Sequence, residues 1–549
     1  MKIKNLLVKI SLTTLPFSPL ITLSCQNKNP YLEMLLPFSV NDDRYAILNE
    51  IVNIYNHEIL KNDPKKLPVS ISSYSNKKFF YSHIDTALNY KDPKVSDLVF
   101  YYPSLAHLIA RYNRIIDFQN EIKNSDIMPQ FLEINKHLGI PENANKKNAK
   151  YIIPVSRSTD NLIINKLVFG YLIKKFIEFS KNNNLNKTII SSNKDETKII
   201  NEILSYYNET SDDKKSLINH IWNIQNHSIN KEEFKNSNFN FTDKIFKNYY
   251  DLEKVSSTIS KIINNKENKE SKKILYSEHS ANFMFSLLFN KANGDYSSKD
   301  YFLKYCEDKP YKLNYKNLYK LNSNEYNSFK EIYNSLYKLL EERTLHFKDP
   351  NKTFTDFNKS LFMLASTRAY TKITNDKKDF LFLQAPLKNA PTQQTSTFIL
   401  QGLSLMGIHH TDFRTNQVKE FVKWLYSPLN KRNWNKNNEQ NKMLENLTPI
   451  EYFSYKTNYL FPSNNFIKKY KENELGNNPA NDAFINTLEN TIKNPLYKTY
   501  EELVDSQSDS FRKTIDLLLQ TTISKKTKTD NYDFEWFLNK IKEITEIKE

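Results

Sequence analysis

Length and patterning predict an α/β chain of two lobes with large helical insertions. The chain has 549 residues, whereas single hydrophobic cores stop growing near ~250–300 residues. Between about residues 34 and 118, short apolar runs alternate with helical periods, the pattern of a mainly parallel sheet with helices on its faces. Residues 181–275 are instead Asn/Lys-rich and helical in period, without convincing strands. They read as an elaboration with mobile loops, above all at 264–273.

The elements follow in order. Strand-like runs are Met34–Phe38, Leu67–Ser72 and Asp97–Tyr102, and Ile47, Ile51, Ile54 and Tyr55 mark a helix between the first two. Strand signals return at Tyr151–Val155 and Leu162–Asn165, followed by a helix over Phe169–Ser180. Helical periods then occupy Ile199–Tyr207, Leu217–Ile224 and about 324–345. Two more strands are read at Phe380–Ala385 and Phe398–Leu405, and a helix at Gln417–Tyr426. The tail from about 480 is helical with a polar break at 524–530.

The N-terminus gives an address. Lys2, Lys4 and Lys9 precede an uncharged stretch from Ile10 to Ser24, and Thr22-Leu23-Ser24 leads into Cys25. This is the pattern of a secretory signal peptide over 1–24 with a lipobox-like end, making Cys25 the lipidated first residue of a tether over 25–30. The expected location is the extracellular face of the cell membrane, held by lipid. Cys306 is the only other cysteine, so no disulfide framework or zinc ribbon can be written. The +16 net charge falls by those three lysines to +13. Lysines are spread along the chain rather than gathered in a stripe, so nucleic acid is not expected as the main partner.

Six glycines, against a usual ~7% of residues, exclude two function classes. Neither GxxxxGK[ST] nor GxGxxG can be formed, and Gly402 to Gly407 is followed by Ile408 and His409. No GxSxG elbow is present, and no carboxylate pair stands out as a glycosidase dyad. His409-His410 has no carboxylate or cysteine spaced to complete a metal site and reads as structural. Ser156-Arg157-Ser158-Thr159-Asp160 offers hydroxyls and a guanidinium, suited to an oxyanion or polyhydroxyl ligand or to a polar interdomain turn. Asp97–Pro103 presents aromatics that either stack on a sugar face or pack in a core.

Five segments in order resemble the extracellular substrate-binding proteins of ABC importers, in the branch that binds sugars and glycerol-3-phosphate. They are Pro68–Tyr74; Asp97–Ala106; Ile153–Thr159 with Ile164-Asn165-Lys166; Leu364-Ala365-Ser366-Thr367, without the family's glycine; and Gln401-Gly402-Leu403-Ser404-Leu405 ahead of a helix ending Leu425-Tyr426-Ser427-Pro428. Tyr459–Ser463 and Arg512 match more weakly. Tyr101 and Tyr102 stand where the glycerol-3-phosphate branch has an acidic residue, and the inserts near 120–150, 181–275 and 306–350 have no counterpart.

The resemblance implies a two-lobed periplasmic-binding-protein-like fold of type II. Its lobes would be 31–155 with 386–430, and 156–385 with 431–549, crossing near 153–160, 380–388 and 430. It implies ligand-binding residues Tyr74, Tyr102, Ser158, Thr159, Ser366, Gly402, Tyr459 and Arg512, no enzymatic activity, no cofactor or metal, and ABC permease subunits as partners. Gly402 is expected where backbone approaches the ligand. With Arg157 and Arg512 the matched arginines, a phosphorylated or polyhydroxylated solute such as a sugar or glycerol phosphate derivative is expected. Lipobox and composition also resemble the surface lipoproteins of mollicutes, for which a surface adhesin or antigen is the alternative; a secreted hydrolase is a third.

Overall fold

The computed structural model describes residues 30–141, 146, 148–225, 228–237, 240–264, 272–349, 357–434, 444–476, 478–525 and 531–545. The expected signal peptide and Cys25 lie outside the described residues.

One sheet contains β1 (Leu32–Leu36), β2 (Val69–Ser73), β3 (Leu98–Tyr101), β4 (Ile153–Pro154) and a late strand, β11 (Ser404–Gly407), in the order β2-β1-β3-β11-β4. The other contains β5 (Asp160–Asn165), β6 (Lys273–Ser277), β7 (Leu345–Phe347), β8 (Ser360–Ser366) and β9 (Phe380–Gln384), in the order β7-β6-β8-β5-β9. Both follow one plan. The strand fourth in order runs antiparallel to both neighbours, and the first three are parallel. A two-stranded ribbon pairs β10 (Ser396–Ile399) with β12 (Tyr497–Tyr500) in parallel.

Alternating side chains bury both faces of each sheet, as expected of parallel strands covered by helices. In the first sheet Leu32, Met34, Leu36, Leu98 and Phe100 enter one core, and Leu35, Val99 and Tyr101 the other. In the second, Leu162, Ile164, Leu275 and Phe362 face one core, and Ile163, Tyr276 and Met363 the other. Helix starts agree with local chemistry. Asp42 caps the helix Asp43–Asn62, Asn165 caps Lys166–Asn182, and Thr448 with Glu451 forms a capping box ahead of Pro449.

Four expectations change. β6 and β7 lie where helix and loop were expected; each is short, and β6 abuts a polar run. Of the matched segment Leu364-Ala365-Ser366-Thr367, the first three residues are the end of a strand, β8, that the sequence pattern did not show, and only Thr367 lies beyond it. The apolar run Phe398–Leu405 is not one strand: it divides into β10 and β11 around Gly402, whose φ is +135°. Residues 431–549 do not all join the second lobe. Leu447, Ile450, Phe453, Phe466 and Tyr470 enter a core of the first sheet, so the last crossing falls after 475 rather than near 430. The helix Pro479–Lys493 is shared, with Phe484 in that core and Thr487 bonded to Gln384 of β9. Within the helical elaboration, Ile203, Trp222 and Leu252 share one core with β5, β6 and β8, as does Tyr333 of a later helix.

Candidate binding cleft

The link between the lobes is built on residues 155–160. Arg157 and Leu460 exchange backbone hydrogen bonds of 2.7 and 3.0 Å, and Ser158 and Gln401 exchange bonds of 3.0 and 2.8 Å. A first crossing strand therefore lies between the second crossing and a first-lobe segment. A Cβ on Gly402 would stand 2.1 Å from the Ser156 carbonyl oxygen. Glycine is needed there for backbone packing against the link itself rather than against a ligand, which corrects the expected role.

The polar residues of this segment turn inward. Ser158 accepts from the Thr367 hydroxyl at 3.1 Å and donates to the Thr159 carbonyl at 3.3 Å; both Ser158 and Thr159 are fully buried. The Arg157 guanidinium donates to the Ser156 and Leu403 carbonyls at 3.0 and 3.1 Å, with Nε 4.0 Å from Glu501. Burial pushes the Glu501 carboxyl up to about 7, and Arg157 offsets only part of that. Arg512 is paired with Glu502 and lies over Phe285. Both matched arginines thus already have internal carboxylates.

The carboxyl ends of β3 and β8, with the amino ends of the antiparallel β11 and β5 beside them, lie on the side of the link. Past β3, Tyr102 is 45% exposed and meets Tyr101 edge-on at 5.4 Å. Tyr101 is within 3.5 Å of Asp509 and accepts from Lys513 at 3.3 Å, across to the second lobe. Past β2, Tyr74 stacks on His83 at 4.5 Å and touches Phe80. Past β8, Arg368 donates to Asp43 of the first lobe at 2.7 Å and lies 5.8 Å over Tyr459. The Tyr305 hydroxyl donates to the His137 carbonyl at 2.8 Å, a further bond between lobes.

Contacts sort the eight expected residues into two groups. Ser158, Thr159, Ser366, Gly402 and Tyr459 gather at the link: Ser366 is opposite Asp160 in register, and Thr367 N bonds the Thr159 carbonyl. Tyr74, Tyr102 and Arg512 gather around Phe80, Tyr101 and the helix Ser508–Leu517. Adjacent Glu501 and Glu502 join the groups, one facing Arg157 and the other Arg512.

The same edge of the second sheet holds Glu278, His279, Lys348 and Lys372, which the sequence did not single out, beside Asp160, which it did. Glu278 and His279 follow β6, Lys348 follows β7, and Asp160 opens β5 beside the end of β8. Lys372 and Lys348 reach Glu278 Oε1 at 2.5 and 3.4 Å. Burial works to raise the Glu278 carboxyl, but His279 and the two lysines outweigh it and hold it at about 2. Asp160 accepts from Gln401 at 2.6 Å, with His279 Nδ1 3.8 Å away. Glu278-His279 ends an apolar run, a signal readable only once β6 is recognised. His409 bonds Thr415 at 2.8 Å and His410 lies 3.8 Å from Asp97, consistent with structural roles.

Two segments match known families. Residues 214–385 match the family described as Mycoplasma MG185/MG260 protein, and residues 399–524 match the putative mycoplasma lipoprotein, C-terminal region. An uncharacterized lipoprotein of Mycoplasma pneumoniae is 22% identical over 368 residues, 57% of this chain and 45% of that protein. The uncharacterized lipoprotein MG260 of Mycoplasma genitalium is 31% identical over 105 residues, 19% of this chain and 13% of that protein. The chain spans less than half the length of these curated relatives. Among solved structures, UgpB from Mycobacterium tuberculosis in complex with glycerophosphocholine aligns with TM-score 0.53 at 12% identity, covering 94% of this chain and 97% of that one. The GacH receptor of Streptomyces glaucescens, solved unliganded and with acarbose, gives 0.52 at 10%, covering 94% and 99%. The cyclic alpha-maltosyl-1,6-maltose binding protein from Arthrobacter globiformis gives 0.50 at 9%, covering 94% and 98%. At these identities the likeness concerns fold: the chain has the type II architecture of ABC substrate-binding proteins.

Proposed function

We propose that this chain is a membrane-anchored lipoprotein that captures a sugar or glycerol-phosphate-like solute between its lobes and presents it to ABC permease subunits. The observation that supports it most is the opposition of two strand-end edges across a backbone-paired link, one aromatic and one charged. Ligands of open α/β sheets bind outside the carboxyl ends of strands, and hinge closure is how such lobes take up a solute. Tyr74, Tyr102, Ser366 and Tyr459 are the expected residues assigned here to the ligand. Ser158, Thr159, Gly402 and Arg512 shape and brace the cleft around it. Cys25 carries the lipid in this reading, and the membrane's extracellular face is the site of capture. No reaction step is assigned to the chain.

Native mass spectrometry of the purified protein, followed by calorimetry against a panel of sugars and glycerol phosphodiesters, tests capture. A bound solute of that class supports it; failure of every panel member to bind opposes it. Intact mass of membrane-extracted protein tests the anchor, since wild type should carry lipid and Cys25→Ser should not. A second reading, a surface adhesin that keeps the fold without transport, draws on Arg368–Asp43 and Tyr305–His137, which join the lobes by the chain's own contacts. It predicts scattering profiles that no panel member changes.

A further inference from the structure

We infer that Lys348 and Lys372, seated on the buried Glu278, form an oxyanion subsite in the cleft that takes a phosphoryl group of the solute. The inference rests on the capture reading above and specifies which end of the solute meets the second lobe.

The arrangement is layered. The Glu278 side chain is only 7% exposed, whereas those of Lys348 and Lys372 are 31% and 44% exposed. A carboxylate thus forms the floor, and ammonium groups form the surface that a solute meets. Both lysines use the same oxygen, Oε1, and Oε2 has no hydrogen-bond partner. Each ammonium has three N–H donors. One bond to Glu278 uses one of them on each lysine. His279 adds a third cation when protonated; its Nδ1 lies 3.8 Å from Asp160. Two ammonium groups thus share one buried carboxylate, leaving positive charge in excess beside Glu278.

Two features make this more than a neutralised carboxylate. One lysine would suffice to balance Glu278, yet two converge on it from different segments, one after β7 and one ending the short helix Ala369–Lys372. The backbone also fixes the bases of Lys348 and Glu278: Lys348 N donates to the Ser277 carbonyl at 3.1 Å, and Glu278 N to the Leu364 carbonyl at 2.9 Å. A floor held by β6 and β8 keeps two flexible ammonium groups close together, reducing the ordering entropy of binding a phosphoryl group. The expected site of a guanidinium clamp is closed, because Arg157 and Arg512 already face Glu501 and Glu502.

Calorimetry with inorganic phosphate, glycerol 3-phosphate and maltose tests the subsite on the full chain. The informative variant is Lys348→Gln/Lys372→Gln/Glu278→Gln, which removes the cations together with their buried counter-ion. Its thermal midpoint against wild type reports whether the lobe still folds, and the single Lys372→Gln variant serves if it does not. Wild type should bind glycerol 3-phosphate at least tenfold more tightly than either variant, with affinity falling as salt rises. Maltose should not distinguish the proteins. Phosphate binding without a gain from the glycerol moiety would identify free phosphate as the source of the anion, and still requires the lysines. Equal affinity of wild type and variants, or no binding of either phosphate, overturns the subsite. Retained maltose binding in that case leaves the capture reading standing, and loss of all three ligands ends both.

Discussion

Past β2 and β3 the chain carries Tyr74 and Tyr102, whereas past β6, β7 and β8 it carries Glu278, Lys348 and Arg368. The two sheets share strand order and direction, and both bury alternate residues on two faces. Their difference begins one or two residues beyond the strands. On the first lobe, rings rest on rings: Phe80 stacks on Tyr101 at 4.6 Å, and Tyr102 meets Tyr101 edge-on. On the second, charges rest on buried charges. Strand pattern sets the shared frame of the two lobes, and the residues just past each strand give the two edges their different chemistry; in the capture reading, each edge would read a different face of the solute. A solute with an apolar sugar or glycerol face and an anionic end matches the two edges at once.

The comparison can be broken most severely at the part both lobes share. Gly402→Ala places a methyl against the Ser156 carbonyl in a backbone conformation unfavourable to alanine. Stability should fall by about 4 kcal/mol in denaturant unfolding; a loss under about 1 kcal/mol would show that the link yields easily. Next is Arg157→Met, measured at pH 8 with Glu501 charged. Removing one member of a buried pair should lower stability by about 3 kcal/mol, and a neutral outcome would mean that Glu501 finds water or another partner.

The third prediction concerns pH. Burial raises Glu501 to about 7 in the folded chain from an ordinary value of 4.5. The folded state therefore holds that proton more tightly than the unfolded state. The stability so gained is complete below about pH 4.5 and is lost as pH rises through about 7. Wild type should lose on the order of 2 kcal/mol more than Glu501→Gln between pH 5 and pH 8. Glu253, also raised to about 7 by burial, titrates in both proteins and cancels in the difference. Parallel pH profiles would remove Glu501 from the account. The smallest stability effect is expected of Tyr102→Ala, within about 0.5 kcal/mol for an exposed side chain. Solute affinity should nevertheless drop by about 1 kcal/mol through lost stacking. Equal affinity would assign recognition to the charged edge alone.

Legibility in the sequence followed element length and neighbourhood. Met34–Phe38, Leu67–Ser72 and Asp97–Tyr102 anticipate β1, β2 and β3 within two residues, because each apolar run is bounded by polar or turn residues. Lys198–Glu209 and Asp212–Trp222 were visible as helical periods for the same reason. The strand β7 is three residues long and follows a helix, so no alternation develops. Among site residues, Tyr74 and Tyr102 could be placed at a strand end from local pattern alone. The pairing of Arg512 with Glu502 could not: nothing in the spacing distinguishes an arginine aimed at a solute from one turned to a neighbouring carboxylate. Ser158 and Thr159 have the residue types of a ligand site, but backbone pairing on both sides of their segment turns them inward.

That double pairing has a mechanical meaning. With Leu460 on one side of Arg157 and Gln401 on the other side of Ser158, residues 156–158 form the middle ply of a three-layer flexure. Such a laminate bends about an axis across its plies but resists shear and torsion, because sliding any layer would break its backbone hydrogen bonds. If the lobes open as the capture reading requires, the motion would be confined to one rotation with the amides of Arg157, Ser158, Gln401 and Leu460 still hydrogen-bonded. Their hydrogen exchange should be among the slowest in the molecule, even while strand-end side chains on either lobe come and go from solvent.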